Sequence, residues 1–531
     1  MKKYITGLMM AAAVMVGSTS CSDFLDEPVL GQQDLGNYFS NEDECARQVT
    51  GCYQSLAFDD WWQIYKFYVC GDMCTDDEWM GNTTQDPGEY RDLAHYTGNT
   101  INAGNCAQNF WQYRYKGILR CNIAIERIPA VEFNDTTLRA RYVGEAKFLR
   151  AFQYFDLLRN FGGVPLVMGL KMPEEIQGIT RASKEETYAV IEKDLLDAIK
   201  VLPKRAEQSS SDLGRATSGA AKGLLAKVYL YQEKYKEAEA LLQDLCCRGQ
   251  YSGNTPEYKL LENFGDVWSI DHNNSEESLF EIQTNNEITY NLGERISVVV
   301  GSRDDSGWSW GMPTSHLEKA FKDAGDTLRL RYTTYVPGDP TWNADNPYIV
   351  SASKHKSGRC NMKLYIPVAK RPDPYDAPHI PLNYRLLRYA DVLLMYAEVE
   401  NALGNDSEAQ WALNQVRHRA KLADVTSTGK ELRDAIRLER RLELALENNR
   451  LFDLRRWKDD NGKPAIDNLM GPNGSFVRYN LEESTDEYET TNQQENSNKG
   501  YYFKEGRDEL FPIPNSEITM SNGSIEQNPG Y

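Results

Sequence analysis

The sequence predicts a mainly helical fold built from stacked helical hairpins, and three observations support this prediction. Residues 381–404 lack Gly between their ends, and their apolar side chains cover more than one face, which is typical of a helix packed among other helices. Residues 216–247 read as a helix, a short turn and a second helix. Small residues recur at one spacing in both regions, with twelve positions separating Ala226 from Ala238 and Ala397 from Ala409.

The helix pair at 216–247 resembles a tetratricopeptide repeat. Small residues at Ala226 and Ala238 let the two helices approach closely, and larger apolar residues interlock around them. The resemblance implies four tetratricopeptide-like helical hairpins that form a right-handed superhelix, at about 41–128, 141–202, 216–247 and 381–421. Because hairpins stack only if they meet, we expect residues 250–380 to leave the array and return.

Two insertions into this array, 59–104 and 250–380, differ from it in composition. Trp and Tyr stand there among Gly, Pro, Asp and Asn without a sustained helical period, which is typical of irregular structure. Short β-prone runs such as 296–300 indicate a few strands. The polar, Tyr-rich residues 459–510 are expected to wrap the surface.

A C-terminal scaffold and wrap is predicted over 428–531, with one helix over 435–457. This helix carries a dense mixture of opposite charges. Such a mixture predicts a lattice of salt bridges between helices rather than catalytic carboxylates. The charged residues are Glu439, Arg440, Arg441, Glu443, Glu447, Arg450, Asp453, Arg455 and Arg456.

The length and net charge of the chain restrict its domain organisation and the partners it can bind. A chain of 531 residues exceeds what one compact core usually serves, so we expect two domains or a repeat array with large insertions. The formal net charge of −19 argues against a nucleic-acid partner. After the N-terminus, no apolar run approaches the roughly 18 residues that a membrane span needs.

The N-terminus carries an export signal. Lys2 and Lys3 precede an apolar stretch over 5–16, and small residues lead to Cys21. This layout resembles a bacterial lipoprotein signal peptide over 1–20, in which Cys21 is acylated and anchors the chain in the outer membrane. An ordinary secretory signal is the alternative. The acidic residues after Cys21 resemble the surface-export signal of lipoproteins in Bacteroides-type bacteria.

The other cysteines do not predict a disulfide framework, because nine remain once Cys21 is set aside, spread over a long chain. Cys70 and Cys74 form a lone C-x3-C without a second pair or a His at ligand spacing, so zinc is weakly supported. No calcium-binding loop motif is found.

Five segments resemble the SusD/RagB family of outer-membrane nutrient-binding lipoproteins, in the order expected for that family. They are the lipoprotein start, Ala146–Val167, Arg388–Glu398, Glu439–Trp457 and the closing stretch Leu510–Tyr531. The resemblance implies a surface-exposed lipoprotein that captures oligosaccharide, or in some relatives peptide. It also implies a SusC-like TonB-dependent transporter as partner, over which the protein closes as a lid, and it implies that no cofactor is required. The departure Asn448-Asn449, where many relatives have Gly-His, falls in the scaffold.

The insertions contain the candidate ligand residues. Sugars are bound by exposed rings flanked by polar groups, since they offer apolar faces and hydroxyls. Trp308 and Trp310 lie between two glycines in a loop, and Arg303 precedes them. Trp79 lies in a polar loop beside Asp77, and Tyr290 follows two asparagines. The alternative for each ring is burial in the core of its insertion.

Three other functions were compared with glycan capture. Peptide or other nutrient capture would use the same aromatic residues. A carbohydrate-active hydrolase would need two facing carboxylates, for which Asp76-Asp77-Glu78 is the available source. Adjacent acids in a loop do not guarantee that spacing, and no nucleophile motif is present. A pure helical-repeat adaptor would not need the long aromatic insertions. We therefore predict a binding protein and not an enzyme.

Overall fold

The computed structural model describes residues 38–57, 63–81, 88–97, 100–289, 292–335, 357–486 and 499–531. Within these residues the fold is mainly helical with a few short strands, as predicted. The helices are α1 (Glu42–Gln54), α2 (Gln63–Met73), α3 (Gly88–His95), α4 (Thr100–Arg127), α5 (Thr136–Phe161), α6 (Pro173–Ile176), α7 (Lys184–Val201), α8 (Ser218–Tyr231), α9 (Tyr235–Leu245), α10 (Ile296–Val300), α11 (Ser315–Asp323), α12 (Thr327–Thr333), α13 (Tyr389–Ala402), α14 (Asp406–Arg419), α15 (Gly429–Glu443), α16 (Arg450–Arg456), α17 (Ala465–Leu469), α18 (Ser475–Glu482) and α19 (Asn515–Met520).

The strands form three antiparallel pairs within the described residues. They are β1 (Glu78–Trp79) with β3 (Met312–Pro313), β2 (Ser278–Ile282) with β6 (Tyr384–Arg388), and β4 (Thr334–Tyr335) with β5 (Cys360–Asn361). Each pair joins segments that are distant in sequence, so the sheets fasten the insertions to one another and to the start of α13.

The long helices pack in sequence order as an array. Helix α4 packs against α1 and α5, α5 against α7, α7 against α8, and α8 against α9. Helix α9 then packs against α13, which contacts α14 and α15. The chain therefore leaves the array after Leu245 and rejoins it at Tyr389, and the residues between them form the larger insertion.

Local signals define the ends of these helices. The Asn41 side chain accepts the backbone N–H of Glu44 at the start of α1. Ser183 and Glu186 exchange hydrogen bonds in a capping box at the start of α7. Gly162 ends α5 with a φ of 78°, a left-handed conformation that costs glycine little.

The helix predicted from residue 381 begins later than expected. Residues 384–388 form β6, and helix α13 begins at Tyr389, whose backbone N–H donates to the Glu277 carbonyl. The strand is buried on both faces, so its apolar residues show no alternation that could distinguish it from a buried helix.

The β-prone run over 296–300 is a helix, so the strand expected there is wrong. The Glu294 carboxylate accepts the backbone N–H groups of Ile296 and Ser297 and so satisfies donors at the helix start. All five side chains of α10 are buried. Burial and this carboxylate outweigh the modest preference of β-branched residues for strands.

The helix predicted over 435–457 is interrupted. Helix α15 ends at Glu443 and α16 begins at Arg450. Leu446 and Asn448 between them have left-handed backbone, with φ of 63° and 57°. The buried Asp72 carboxylate on α2 accepts the backbone N–H groups of Asn448 and Arg450, at 2.8 and 3.2 Å, and so stabilises the turn. Asn is one of the few non-glycine residues that adopts this conformation readily.

The charge lattice predicted on these helices is confirmed. Arg388 Nη1 lies 2.9 Å from Glu277 Oε1 and 2.6 Å from Glu443 Oε1, and its Nη2 lies 2.8 Å from Glu447 Oε1. Burial alone would raise the pKa of Glu443, but Arg419, Arg388 and Arg329 hold it well below its usual range. The Glu443 carboxylate is therefore ionised, and its role is structural.

The C-terminus is held against the array. The Asn528 side chain donates to the carbonyl groups of Phe161 and Phe511. The Tyr531 hydroxyl lies 3.0 Å from the Asp508 carboxylate. Among the helices of the described residues, none combines the length and apolar character needed to cross a bilayer. The nine cysteines in the described ranges form no disulfide, and no cluster of His, Cys, Asp or Glu there could hold a metal ion.

Candidate ligand-binding site

The loop over 301–311 folds back on α10 and is fixed by backbone hydrogen bonds. Trp308 and Trp310 donate their backbone N–H groups to carbonyls of α10, at 2.8 and 2.9 Å. The chain approaches itself so closely at residue 307 that only glycine fits, since a Cβ there would lie 2.2 Å from the carbonyl carbon of Gly301. The loop is therefore a rigid support for its side chains.

The two tryptophans of this loop differ in exposure. Trp310 is only 1% exposed and lies with its ring centroid 5.5 Å from that of Tyr90, so it belongs to the core. Trp308 is partly exposed, and its ring lies 5.9 Å from that of Trp310. Trp308 is therefore partly accessible at the surface and packs against a second indole, whereas the exposure expected for Trp310 is wrong.

A surface depression lies beside the loop. One wall comes from 297–307 and the other from 361–380. Tyr365 and Tyr375 supply aromatic rings to its lining, and Ser302, Ser306 and Asn361 supply hydroxyl and amide groups. Gly307, the residue before Trp308, is also part of the lining.

An ion pair fixes the polar side of the depression. Arg371 Nη1 donates to Asp305 Oδ1 at 2.9 Å, and its Nη2 donates to the second carboxylate oxygen. The guanidinium carbon lies 4.5 Å from the Tyr375 ring centroid and 5.7 Å from that of Tyr365. Burial raises the pKa of both tyrosines, so their phenols are neutral and able to donate. The arrangement provides fixed donors and acceptors beside aromatic rings.

Arg303 lies next to the depression and outside its lining. It begins the 3-10 helix Arg303–Asp305, and its backbone N–H donates to Ser309 Oγ at 2.9 Å. This hydrogen bond between Arg303 and Ser309 stabilises the loop over 301–311.

The structure does not display Asp77 and Trp79 as expected. Both are fully buried, because arginines draw the acidic loop into the interior. Asp77 accepts Arg441 Nε and Nη2 at 2.9 and 2.7 Å, and Trp79 Nε1 donates to Asp486 at 2.7 Å. Neither side chain is accessible to a ligand in this conformation.

The neighbouring acids of that loop are also buried. Burial would raise the pKa of Asp76, but Arg441 and Arg450 hold it well below its usual range. Burial and the charge of Asp72 raise the pKa of Glu78 well above its usual range. Because these carboxylates are enclosed, they are not placed to act on a glycosidic bond. Cys21 and Tyr290, predicted from the sequence as the acylation site and a ligand residue, lie outside the described residues.

Family models and individual relatives of known sequence place this chain in the same family. The family described as "SusD family" matches residues 341–531, and the one described as "Starch-binding associating with outer membrane" matches residues 23–230. SusD-like protein P2 of Formosa agariphila is 26% identical over the whole of both chains. A SusD-like protein of Bacteroides ovatus is 26% identical over 85% of this chain and 82% of its own. The chain belongs to the SusD/RagB family.

Solved structures of SusD-like proteins share its fold. A laminarin-binding SusD-like protein superposes with a TM-score of 0.75 at 28% sequence identity, over 93% of this chain and 100% of its own. A SusD homologue from Bacteroides thetaiotaomicron, at 24% identity, superposes with a TM-score of 0.72 over 94% of this chain and 98% of its own. Mainly helical architecture with irregular insertions is therefore common to this protein and those relatives.

Sequence reasoning missed the second wall of the depression in this SusD-like protein. Arg371 and Tyr375 lie in the stretch KRPDPYDAP, whose prolines indicate irregular exposed backbone. An arginine and a tyrosine within such a stretch are a signal of the same kind as the one used for Trp308. What the sequence could not show is that Asp305 would pair with Arg371 across 66 positions of chain.

Proposed function

We propose that this SusD-like protein is a non-catalytic surface lipoprotein that captures oligosaccharide in the depression beside Trp308. It delivers the oligosaccharide to a SusC-like TonB-dependent transporter in the outer membrane and acts as the lid of that transporter. The proposal rests on one observation: aromatic rings and the Asp305–Arg371 ion pair line the same depression. Similarity to the laminarin-binding SusD-like protein supports a saccharide ligand.

The geometry suits a sugar ring. Apolar C–H faces of a sugar stack on aromatic rings, and its hydroxyls need donors and acceptors in the same plane. Tyr365 and Tyr375 supply rings to the lining, Trp308 lies beside it, and the Asp305–Arg371 pair places fixed charged groups on its polar side. Hydrogen bonds that involve ionised groups are stronger than neutral ones, and groups already held in place lose little entropy on binding.

The lining favours binding over hydrolysis. Glycoside hydrolysis uses two carboxyl groups on either side of the scissile bond. Among the described residues that line the depression, Asp305 is the single carboxylate, and its two oxygens are engaged by Arg371. The described lining therefore lacks the paired acid and base of that chemistry.

Calorimetry on the soluble chain without its first 21 residues tests the ligand and the site. Laminarin is expected to bind, and Trp308→Ala and Tyr375→Ala are each expected to weaken binding about tenfold, the loss typical of an aromatic anchor. Trp411→Ala is the matched control, because this half-buried indole of α14 packs under Arg248 in the helical array. Unchanged affinity for Trp308→Ala, preference for peptide, or new reducing ends after incubation would contradict the proposal.

A second experiment addresses the anchor and the partner. Full-length protein is expected in the outer-membrane fraction with acyl chains on Cys21 and in a complex with its transporter, identified by mass spectrometry. Cys21→Ala removes the acylation site, so that variant is expected in the soluble fraction, since the acyl chains supply the membrane affinity. Retention of Cys21→Ala in the membrane, with the transporter absent from the purified complex, would argue against this part of the proposal.

A further inference from the structure

Two adjoining cavities lie where the helical array meets the C-terminal segment. Their volumes are about 640 and 630 Å³, and they share Lys184, Leu510, Asn528 and Pro529 in their linings. No lining residue belongs to the depression beside Trp308. Cavities of this size accommodate small organic ligands.

Arg455, on α16, lines the first cavity without a charged partner. Its Nη2 donates to the backbone carbonyl of Asp508 at 3.3 Å, and its guanidinium carbon lies 4.5 Å from the Phe511 ring centroid. Its Nε and Nη1 are buried and have no hydrogen-bond partner in the described part of the chain. The Asp508 carboxylate is already engaged by Arg507 and Tyr531.

A buried cation without a counter-ion destabilises the folded state, because burial removes its hydration and no other interaction replaces that hydration. Arg456, which follows in the sequence, shows the usual solution, since the Glu398 carboxylate lies 2.5 Å from its Nη1. Arg455 therefore departs from the pattern of this helix, and a negative charge supplied from the cavity would compensate it.

Lys184, shared by both linings, and Arg181, in the second lining, have no carboxylate partner among the described residues. Lys184 is exposed and forms no ion pair there. Arg181 donates only to neutral acceptors, namely the carbonyls of Phe161, Gly163 and Glu526 and the Asn528 side chain. Cations therefore lie along both cavities.

The acids of the lining do not cancel this charge. The two linings contain four acidic and eight basic side chains, and five of the basic ones already pair with carboxylates. Glu233 pairs with Lys458. Glu185 and Glu526 are exposed, and Glu509 is partly exposed, so water can solvate them. The buried nitrogens of Arg455 lack that solvation.

Aromatic rings line the same cavity. Tyr188, Tyr231 and Phe452 contribute to the first lining. An inorganic ion would fill a small part of 640 Å³ and would make no use of these rings. Rings together with uncompensated cations favour an organic ligand that has both an apolar face and a negative charge.

We propose that these cavities bind a saccharide that carries a carboxylate, with the carboxylate directed toward Arg455 and Lys184 and the sugar rings toward Tyr188 and Tyr231. The inference does not depend on the proposed function of the depression, because the two surfaces share no residue. It assigns this protein a second ligand class, recognised by charge.

Calorimetry at low ionic strength with trigalacturonate, maltotriose, sodium glucuronate and sodium sulfate as probes tests the inference. Trigalacturonate is expected to bind wild-type protein, and Lys184→Gln and Arg455→Gln are each expected to weaken binding about tenfold, because each removes a positive charge that attracts the carboxylates at low ionic strength. Glucuronate is expected to bind more weakly through the same two residues. Maltotriose lacks the carboxylate and is not expected to depend on them.

Control variants separate this site from others. Lys193→Gln removes an exposed cation of the same helix, outside both linings, and is expected to leave trigalacturonate affinity unchanged, as is Trp308→Ala. Lys184 is exposed, so its variant keeps the fold and tests the site without changing a buried residue. The inference is overturned by absence of trigalacturonate binding, by unchanged affinity in both cavity variants, by equal affinity for sulfate, or by loss of binding in Trp308→Ala.

Discussion

Asp72 shows at the residue scale how a buried carboxyl organises this scaffold. It lies on α2, is fully buried, and accepts two backbone N–H groups from the turn between α15 and α16. Burial, assisted by the charge of Asp77, raises the pKa of Asp72 from 3.8 to about 7. The group holds its proton in the folded chain at pH values where the unfolded chain has lost it.

The sign of the resulting pH dependence follows from proton binding. Between pH 3.8 and about 7 the folded chain binds the extra proton, so the contribution of Asp72 to stability falls as pH rises through this window and is constant above it. Urea denaturation of wild type and Asp72→Asn at several pH values measures this. The free energy of unfolding of wild type relative to Asp72→Asn is expected to decrease from pH 4 to 7, and a constant difference would contradict the assignment.

The exposure of individual aromatic residues was the feature of the site that the sequence predicted least reliably. Trp79 and Trp310 stand in stretches as polar and Gly-containing as the one around Trp308, yet both are buried and Trp308 is not. Their burial depends on Asp486 and Tyr90, which are far away in the sequence. The type of residue was predictable from composition, whereas the direction of each ring was decided by these distant contacts.

At the scale of the element, the loop over 301–311 depends on a close approach of its own backbone. A Cβ at Gly307 would lie 2.2 Å from the carbonyl carbon of Gly301, so Gly307→Ala must displace the loop. We expect this variant to unfold about 1–3 kcal/mol more easily, as overpacked sites do, and to bind laminarin more weakly.

Gly51→Ala is the matched control for that loop. Gly51 lies within α1, and a Cβ there would meet no atom within 4 Å. Since alanine favours helix, this variant is expected to gain about 0.5–1 kcal/mol of stability and to retain wild-type affinity for laminarin. Calorimetry and denaturation of the two variants side by side give the comparison. Wild-type stability and affinity in Gly307→Ala would show that the loop is not constrained as described.

Elements differ in how well the sequence predicted them. Helices with caps and a clear period, such as α1 and α7, were predictable because their signals are local. Helix α10 and strand β6 were not, since pairing with distant segments and burial on all sides override local preference. The interruption after Glu443 depends on Asp72, which no local pattern near residue 443 could reveal.

At the scale of the whole molecule, the helical array and the insertion over 250–380 are structurally distinct parts of the fold. The array packs helix on helix in sequence order and is held by buried ion pairs around Arg388. The insertion over 250–380 leaves it and builds both walls of the depression. The departure of residues 250–380 from the array was predictable from the change in composition along the chain, whereas the insertion over 59–104, expected to be irregular, contains helices α2 and α3. The family resemblance adds a transporter partner, which stays a prediction.

Hydrogen exchange with and without laminarin shows whether the depression beside Trp308 binds the saccharide, because it maps the ligand surface on the intact chain. We predict slower exchange in peptides covering 301–308 and 361–375 on saturation with laminarin, and unchanged exchange in the α13–α14 hairpin. Protection confined to the helical array, with exchange in both walls of the depression unchanged, would contradict this prediction.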